Sequence, residues 1–305
     1  MRVSALVTAY FPDERLHAVV ETAAASCTQV IVVDNTPADA FSASARLAAR
    51  PGVVVLRPGD NRGLAGGLNT AARSLDRDAE AVLLLDQDSV LGHDHVGGLA
   101  PHLADPAVAV AAPVPVDARS GESLEPPRRR RPPAPALHAL RRLARTDRRR
   151  PGAPVRDRDT VITSGMLVRR SVFERFQPFR EEFFVDFVDA DFCLRVRRGG
   201  HRIVQDTRVT LRHSLGERRR YRFLGLSLAA SVHPAWRLYW IARNGTVLVR
   251  ENWLRKPWWS ARTASFLYRW FLLRVLFEPP RLHRPGWMLR GFADGWRGRR
   301  ANSGP

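Results

Sequence analysis

The 305-residue sequence is poor in cysteine and has no signal-peptide pattern. Its two cysteines, Cys27 and Cys193, lie far apart and form neither a disulfide framework nor a zinc-binding pattern, which favours a reducing compartment. The first residues enter a strand-like run directly, without a charged segment, a long apolar stretch or a cleavage site. We therefore expect a cytoplasmic protein.

Lysine is almost absent, since Lys256 is the only one, yet the formal net charge is +19. This charge predicts attraction to polyanions such as nucleic acid, anionic lipid or nucleotide-linked substrates. Ten of the arginines lie between residues 128 and 150, among prolines. They predict a basic surface loop over about residues 119–158, which either has no specific partner or contacts lipid headgroups or an acceptor.

An uninterrupted membrane-spanning run is also missing. The apolar stretch from Trp258 to Phe277 contains Arg262, Arg269 and Arg274. Each arginine near the bilayer centre costs about 2.5–3.5 kcal/mol, so a spanning helix is not expected. Interleaved aromatic and basic residues favour an amphipathic helix at an anionic membrane surface, and the alternative is a helical subdomain that packs on the rest of the protein or on a partner.

Strand and helix signals alternate in the first half of the chain. Apolar runs predict strands at Val3–Ala9, Val30–Val33, Val53–Leu56 and Ala81–Leu85. This order predicts an α/β fold with a mainly parallel sheet and helices on both faces. We expect this domain to span residues 1–225, and residues 226–305 to form a helical, aromatic-rich, membrane-associating extension.

Acidic residues follow the fourth apolar run, at Asp86 and Asp88. Ligands of such sheets bind at the carboxyl ends of the strands, and two carboxylates there suit a hard divalent cation that also binds phosphate oxygens. The alternative is an acidic turn that only caps a strand. Farther along, Asp189 begins a segment with acids in its first turn, bases in its last turn and Gly199 after it, which is the charge pattern of a helix.

Five segments, taken in order, resemble the family 2 inverting glycosyltransferases of the GT-A fold, and are most similar to the bacterial rhamnosyltransferases. They are Thr8-Ala9-Tyr10, Asp34-Asn35, Asn61 to Asn69, Asp86-Gln87-Asp88-Ser89 and Asp189-Ala190-Asp191. The resemblance covers about residues 3–217 and continues more weakly through an aromatic-x-x-Arg-Asn element at Tyr239–Asn244.

The resemblance implies a role for each matching residue. Contacts to the nucleotide-sugar donor are implied for Thr8, Ala9, Tyr10, Asp34, Asn61, Gly63, Gly67 and Asp86. Asp88 would bind Mg²⁺ or Mn²⁺, and His213 would complete the metal shell. Ser164 and Gly165 would shape the acceptor side.

The resemblance further implies that Asp189 is the general base. Many members carry Glu-Asp at this helix start, whereas Val188 precedes Asp189 here. Asp186 and Asp191 are therefore rival bases.

The implied reaction moves L-rhamnose from dTDP-rhamnose onto a lipid-linked glycan or another cell-surface polysaccharide precursor, at the inner face of the cell membrane. UDP-galactofuranose and other UDP-hexoses are alternative donors. Two other classes remain open: a haloacid dehalogenase-type phosphatase, whose nucleophile motif resembles Leu85–Val90, and a basic nucleic-acid-binding protein. A nucleic-acid partner is not expected, because no zinc, RRM or homeodomain pattern accompanies the charge.

Overall fold

The computed structural model describes residues 1–117, 121, 123, 153–213, 218–223, 226–231, 233–277 and 283–299. Most of the basic loop expected over residues 119–158 lies outside these ranges. Among the residues that are described, the fold contains one large sheet, a separate two-stranded sheet and flanking helices.

The strands are β1 Val3–Ala9, β2 Gln29–Asp34, β3 Val53–Leu56, β4 Ala81–Asp86, β5 Ser89–Leu91, β6 Val108–Asp117, β7 Val155–Asp157, β8 Met166–Arg169, β9 Arg202–His213, β10 Arg218–Phe223 and β11 Leu226–Ser231. The α-helices are α1 Arg15–Ala24, α2 Gly63–Ala72, α3 His95–Leu99, α4 Arg170–Arg175, α5 Val188–Arg198, α6 Ala235–Asn252, α7 Pro257–Phe277 and α8 His283–Arg297. Short 3-10 helices lie at Ala43–Ala49, Ala100–Ala104 and Glu181–Phe183.

The large sheet has the strand order β3-β2-β1-β4-β8-β6-β9-β5, and β7 pairs with β9. Strand β1 is parallel to both β2 and β4, and β2 is parallel to β3, as the alternating sequence signals predict. Strand β8 is antiparallel to both β4 and β6, and β5 is antiparallel to β9. The α/β fold is therefore confirmed, with a sheet that is mixed because the later strands reverse direction.

Two hydrophobic layers cover the sheet, one on each face. Leu6, Val33 and Leu84 point into the layer that includes Phe192 of α5, whereas Val7 and Leu83 point into the layer that includes α1. Successive strand residues face opposite sides, so strands covered on both faces are apolar along their whole length. This double coverage explains why β1 and β4 are apolar over most of their length.

Strand β8 begins at Met166, directly after Ser164 and Gly165. Gly165 has a φ of +77°, which interrupts an extended strand, and a Cβ at this position would lie 2.9 Å from Pro113. Its backbone N–H donates to the Leu84 carbonyl at 2.8 Å, so residues 163–165 form a turn beside the end of β4.

The C-terminal helices pack on the sheet domain and on one another. Val247 and Leu248 of α6 are buried in the same layer as Phe192. Helix α8 crosses α6 closely, since a Cβ on Gly291 would lie 2.4 Å from the Tyr239 carbonyl oxygen. None of the helices in the described ranges is both long and apolar enough to cross a bilayer.

Candidate active site

Three neighbouring strands end together at one edge of the sheet. In the parallel register Thr8 of β1 lies opposite Asp86 of β4, and Ala9 lies opposite Asp34 of β2. Thr8, Ala9, Asp34 and Asp86 therefore lie together. The positions of the two aspartates at the ends of apolar runs predict this.

The segment after β4 is fixed to its surroundings by side chains. The Ser164 hydroxyl donates to the Asp86 carboxylate. Gln87 accepts a hydrogen bond from the backbone N–H of Tyr10 at 2.7 Å. Asp88 lies 3.9 Å from Nη1 of Arg15. Gln87 thus ties the turn to the end of β1, and the two acids around it belong to one site.

The donor set at this turn suits a divalent cation of the Mg²⁺ type. Two carboxylates offer hard oxygen ligands, and such an ion commonly completes its shell with water and substrate phosphates. In the part of the chain that the structure describes, no three His, Cys, Asp or Glu side chains gather as a metal centre. The backbone of His213 pairs with Ser89, the residue after Asp88, in the β5–β9 ladder. This pairing places the backbone of His213, the second predicted metal ligand, beside the chain segment that contains Asp88.

Asp34 is fully buried and well supplied with hydrogen-bond donors. Ser42 and Ser44 donate to its carboxylate, the latter at 2.6 Å, and the Thr36 backbone donates at 3.0 Å. Burial raises its pKa, but the hydrogen bonds from Ser42, Ser44 and Thr36 outweigh burial, and the pKa is lowered overall. Asp34 is therefore held as a carboxylate at the base of the site.

The glycine-rich segment approaches β1 closely. A Cβ on Gly67 would lie 3.0 Å from the Asn35 side-chain nitrogen and 3.2 Å from Thr8, so a larger residue does not fit without a shift. Asn61 accepts from the Gly63 N–H at 3.0 Å and so shapes the turn before α2. The Asn35 Oδ1 atom is buried and has no hydrogen-bond partner among the described residues. An acceptor thus remains for a ligand beside Thr8 and Gly67.

An acidic loop, which we define as residues 184–187, lies between α2 and α5. Phe184, Asp186 and Phe187 have φ values of 53°, 60° and 62°. Such left-handed conformations are unfavourable for bulky residues and persist only where surrounding contacts hold them.

The aromatic-x-x-Arg-Asn element supplies these contacts. The side-chain amide of Asn244 donates to the carbonyls of Phe183, Val185 and Asp186 at 2.7–3.0 Å. Arg243 donates to the Glu182 carbonyl at 2.9 Å, and Trp240 packs against Phe184. Helix α6 therefore fixes the shape of the acidic loop.

Asp189 follows this loop in the first turn of α5. Burial and the negative charges of Asp86 and Asp186 together raise the pKa of its carboxyl to about 7, against backbone hydrogen bonds from Ala190 and Thr163 that lower it. Because the charge of Asp86 contributes to this shift, Asp189 lies within electrostatic range of the end of β4. Ionised, Asp189 is a stronger base than an ordinary aspartate.

The rival bases have other partners. Asp186 forms a bidentate pair with Arg237, whose Nε and Nη2 lie 2.8 and 2.9 Å from its oxygens. Asp191 is buried and pairs with Arg195 at 2.8 Å and with Arg180 at 3.5 Å. Of the three aspartates, Asp189 is the one without an arginine partner in the described part of the chain, which supports it as the base.

The two residues expected on the acceptor side differ in their surroundings. Ser164 is buried against Asp86. Gly165 packs beneath it, where its carbonyl oxygen lies 3.1 Å from Nε2 of His95. Tyr10, by contrast, is exposed, so its ring is open to a ligand at the mouth of the site.

Sequence reasoning overlooks two contributors, Gln87 and Arg237. Gln87 lies within the acidic motif, yet nothing in the motif itself indicates its bond to the end of β1. Arg237 lies outside the five resembling segments, but it precedes the aromatic-x-x-Arg-Asn element by a few residues on the same helix. Its position on that helix is the sequence feature that could have identified Arg237 as part of the site.

Comparison with known proteins identifies the family of this chain. A family model described as glycosyltransferase like family 2 matches residues 1–236. The chain belongs to this family. It is therefore an enzyme of glycosyl transfer, and the phosphatase and nucleic-acid-binding hypotheses are not supported.

One curated relative is the dTDP-rhamnosyl transferase RfbF of Shigella flexneri, which is 26% identical over 252 residues, or 82% of this chain and 80% of the relative. Among solved structures, the mannosyltransferase PcManGT of Pyrobaculum calidifontis, in complex with GDP-Man and Mn²⁺, superposes with a TM-score of 0.57 at 16% identity, over 98% of this chain and 88% of that one. TarS 1–349 of S. aureus gives a TM-score of 0.58 at 12% identity, over 97% and 81%. These structures confirm the GT-A fold.

Proposed function

We propose that this glycosyltransferase moves L-rhamnose from dTDP-rhamnose onto a lipid-linked glycan or another cell-surface polysaccharide precursor. The donor is suggested by the similarity to the Shigella rhamnosyltransferase across most of both chains. The observation that carries the reaction type is Asp189, a carboxyl group with a pKa of about 7 beside the Asp86 end of β4.

The donor nucleotide would lie across the ends of β1, β2 and α2. Asn35 Oδ1 offers an unpaired buried acceptor there, and Gly63 and Gly67 leave room for close approach. Thr8, Ala9, Tyr10, Asn61 and Asp86 would border the nucleotide-sugar. Asp34 would contact the base, although its oxygens already accept three hydrogen bonds.

Asp88, with His213 beside it in the chain fold, would hold Mg²⁺ or Mn²⁺ against the donor diphosphate. The bound cation would stabilise negative charge on the departing nucleoside diphosphate. The GDP-Man complex of the Pyrobaculum calidifontis mannosyltransferase, which contains Mn²⁺, supports a divalent ion in this fold.

Asp189 would accept the proton of the acceptor hydroxyl as that oxygen attacks the anomeric carbon. The carbon–oxygen bond to the diphosphate breaks in the same displacement, so the anomeric configuration inverts. A general base works best when its pKa is near the operating pH, which the burial of Asp189 provides.

The enzyme would work at the inner face of the cell membrane. Trp253 and Leu254, between α6 and α7, and Trp258, in the first turn of α7, are exposed by 51%, 92% and 69%. Arg255 and Arg262 are also exposed in this region. Exposed aromatic and aliphatic side chains next to arginines are typical of proteins that lie on anionic bilayers.

Calorimetric titration of dTDP, UDP and GDP, each with Mn²⁺ and with EDTA, tests the donor. Metal-dependent preference for dTDP supports the proposal and selects dTDP-rhamnose for a transfer assay. Preference for UDP would instead point to UDP-galactofuranose or a UDP-hexose, and failure to bind any of the three would contradict the proposed function.

A further inference from the structure

Arg237, in the first turn of α6, pairs with Asp186 of the acidic loop and lies within electrostatic range of Asp86 and Asp88. Burial lowers its pKa, but hydrogen bonding to Asp186 and the negative fields of Asp186, Asp86 and Asp88 outweigh burial, and the pKa is raised overall. The guanidinium is therefore a permanent cation within the field of both acids of the turn after β4.

The position of this cation is fixed from two sides. Its bidentate pair with Asp186 joins it to the acidic loop, with distances of 2.8 and 2.9 Å. That loop is held by Asn244, which lies on the same helix as Arg237. Because helix and loop are locked together, the guanidinium is placed before any ligand arrives, which limits the entropy lost on binding.

The pairing of Arg237 with Asp186 leaves N–H donors that can bind a second anion. A guanidinium carries five N–H donors in a planar fork, and Asp186 uses two of them. The Arg237 side chain is 37% exposed, so part of it is open to solvent. Arginine is well suited to phosphate because its fork matches two oxygens at once.

The charges around the Arg237 guanidinium indicate what it would bind. Asp86 and Asp186 both act on Asp189, and Asp86, Asp88 and Asp186 all act on Arg237, so four carboxylates share one region. A nucleoside diphosphate adds further negative charge. Arg15, whose Nη1 lies 3.9 Å from Asp88, directs three of its hydrogen bonds to Asp13. Arg237 is better placed to offset the diphosphate.

We propose that Arg237 binds the diphosphate of the nucleotide-sugar donor and that Asp186 is the residue that positions it. This inference rests on the proposed function. It assigns Asp186 a task other than that of general base, and it makes the C-terminal helices part of the donor site.

The test compares ligands that differ only in their phosphates. Binding of dTDP, dTMP and thymidine is measured by calorimetry in Mn²⁺ for the wild type, Arg237→Gln, Arg237→Lys and Asp186→Asn. Arg237→Gln should weaken dTDP about 10- to 100-fold, as expected for charged hydrogen bonds, and leave thymidine unchanged. Arg237→Lys keeps the positive charge without the planar fork of donors, so it should weaken dTDP binding less than Arg237→Gln does. Asp186→Asn should weaken dTDP by a smaller factor than Arg237→Gln.

Arg50→Gln is the matched control, since Arg50 is exposed just before β3, at the opposite end of that strand. Unchanged dTDP affinity in Arg237→Gln would overturn the inference, as would equal losses for dTDP and thymidine, which indicate a structural role. Should Arg237→Gln fail to fold, the Arg237→Lys series decides by the same comparison. If the wild type prefers UDP, the uridine series replaces the thymidine series. A wild type that binds none of dTDP, UDP or GDP contradicts the proposed function itself.

Discussion

Gly63 and Phe184 approach so closely that no side chain fits between them. A Cβ on Gly63 would lie 2.4 Å from the Phe184 carbonyl oxygen, and the φ of Gly63 is +64°. The same carbonyl accepts the Leu64 N–H at 2.7 Å, at the start of α2. This contact joins the glycine-rich segment on the donor side to the acidic loop that precedes Asp189.

Replacing Gly63 with alanine should therefore damage both sides of the site. We expect a loss of stability of more than about 2 kcal/mol, because the left-handed backbone alone costs about 1–2 kcal/mol and the clash adds to it. Gly200→Ala is the matched control, since Gly200 has a φ of +85° and open space around its Cβ position. Urea denaturation of both variants measures the difference, and equal losses would refute a special contact at Gly63.

Much of this site is predictable from the sequence because its acids follow apolar strands. Parallel strands end at one edge of a sheet, so the strand pattern alone is enough to place Asp34 and Asp86 together. The helix at Asp189 is predictable from its charge pattern and from Gly199. These signals are local, and each arises from the physics of one element.

The shape of the acidic loop is not predictable in this way. Nothing in the local sequence indicates positive φ for Phe184 or Phe187, because neither residue favours it. The conformation depends on Asn244, some sixty residues away, whose amide satisfies three carbonyls. The pairing of Asp186 with Arg237 is likewise a tertiary contact, whereas Asp191 pairs with Arg195, its i+4 neighbour on α5.

Asp88→Ala should abolish the metal dependence of nucleotide binding and leave the fold intact. The cation would lose its principal carboxylate ligand, whereas Asp88 contributes little to the core. Calorimetry with dTDP in Mn²⁺ and in EDTA measures this, and Asp78→Ala serves as control because Asp78 is exposed and pairs with Arg2. A variant that still gains affinity from Mn²⁺ would remove Asp88 from the site.

Asp189→Asn should retain donor binding and lose transfer by about 10²- to 10⁴-fold, the usual contribution of a general base. In the wild type, kcat/KM should rise with pH towards a plateau, with a midpoint near the pKa of about 7, because the ionised carboxylate is the active form. A bound divalent cation would move this midpoint to lower pH. Full activity of Asp189→Asn would return the role of base to Asp186 or Asp191.

The same variant should alter stability in a pH-dependent way. The pKa of Asp189 is raised in the folded protein from an ordinary 3.8 to about 7, so folding favours the protonated form. The wild type therefore loses stability as the pH rises from about 4 to 7, and asparagine removes this loss. Relative to the wild type, Asp189→Asn should gain on the order of 4 kcal/mol between pH 4 and pH 8. Urea denaturation at both pH values measures it, and a constant difference would contradict the raised pKa.

Membrane contact should depend on the turn between α6 and α7. Leu254→Glu with Trp258→Ala removes two side chains that are 92% and 69% exposed, so neither change disturbs the core. We expect binding to anionic liposomes to fall at least about 10-fold, because apolar insertion is lost and a negative charge is added. Phe41→Ala, at a side chain that is 81% exposed in the sheet domain, is the matched control. Sedimentation with liposomes at low salt and at about 0.5 M salt separates the electrostatic from the apolar contribution to binding. Salt screening weakens the arginine contacts more than the apolar ones. A double variant that sediments like the wild type would show that this turn is not the contact surface.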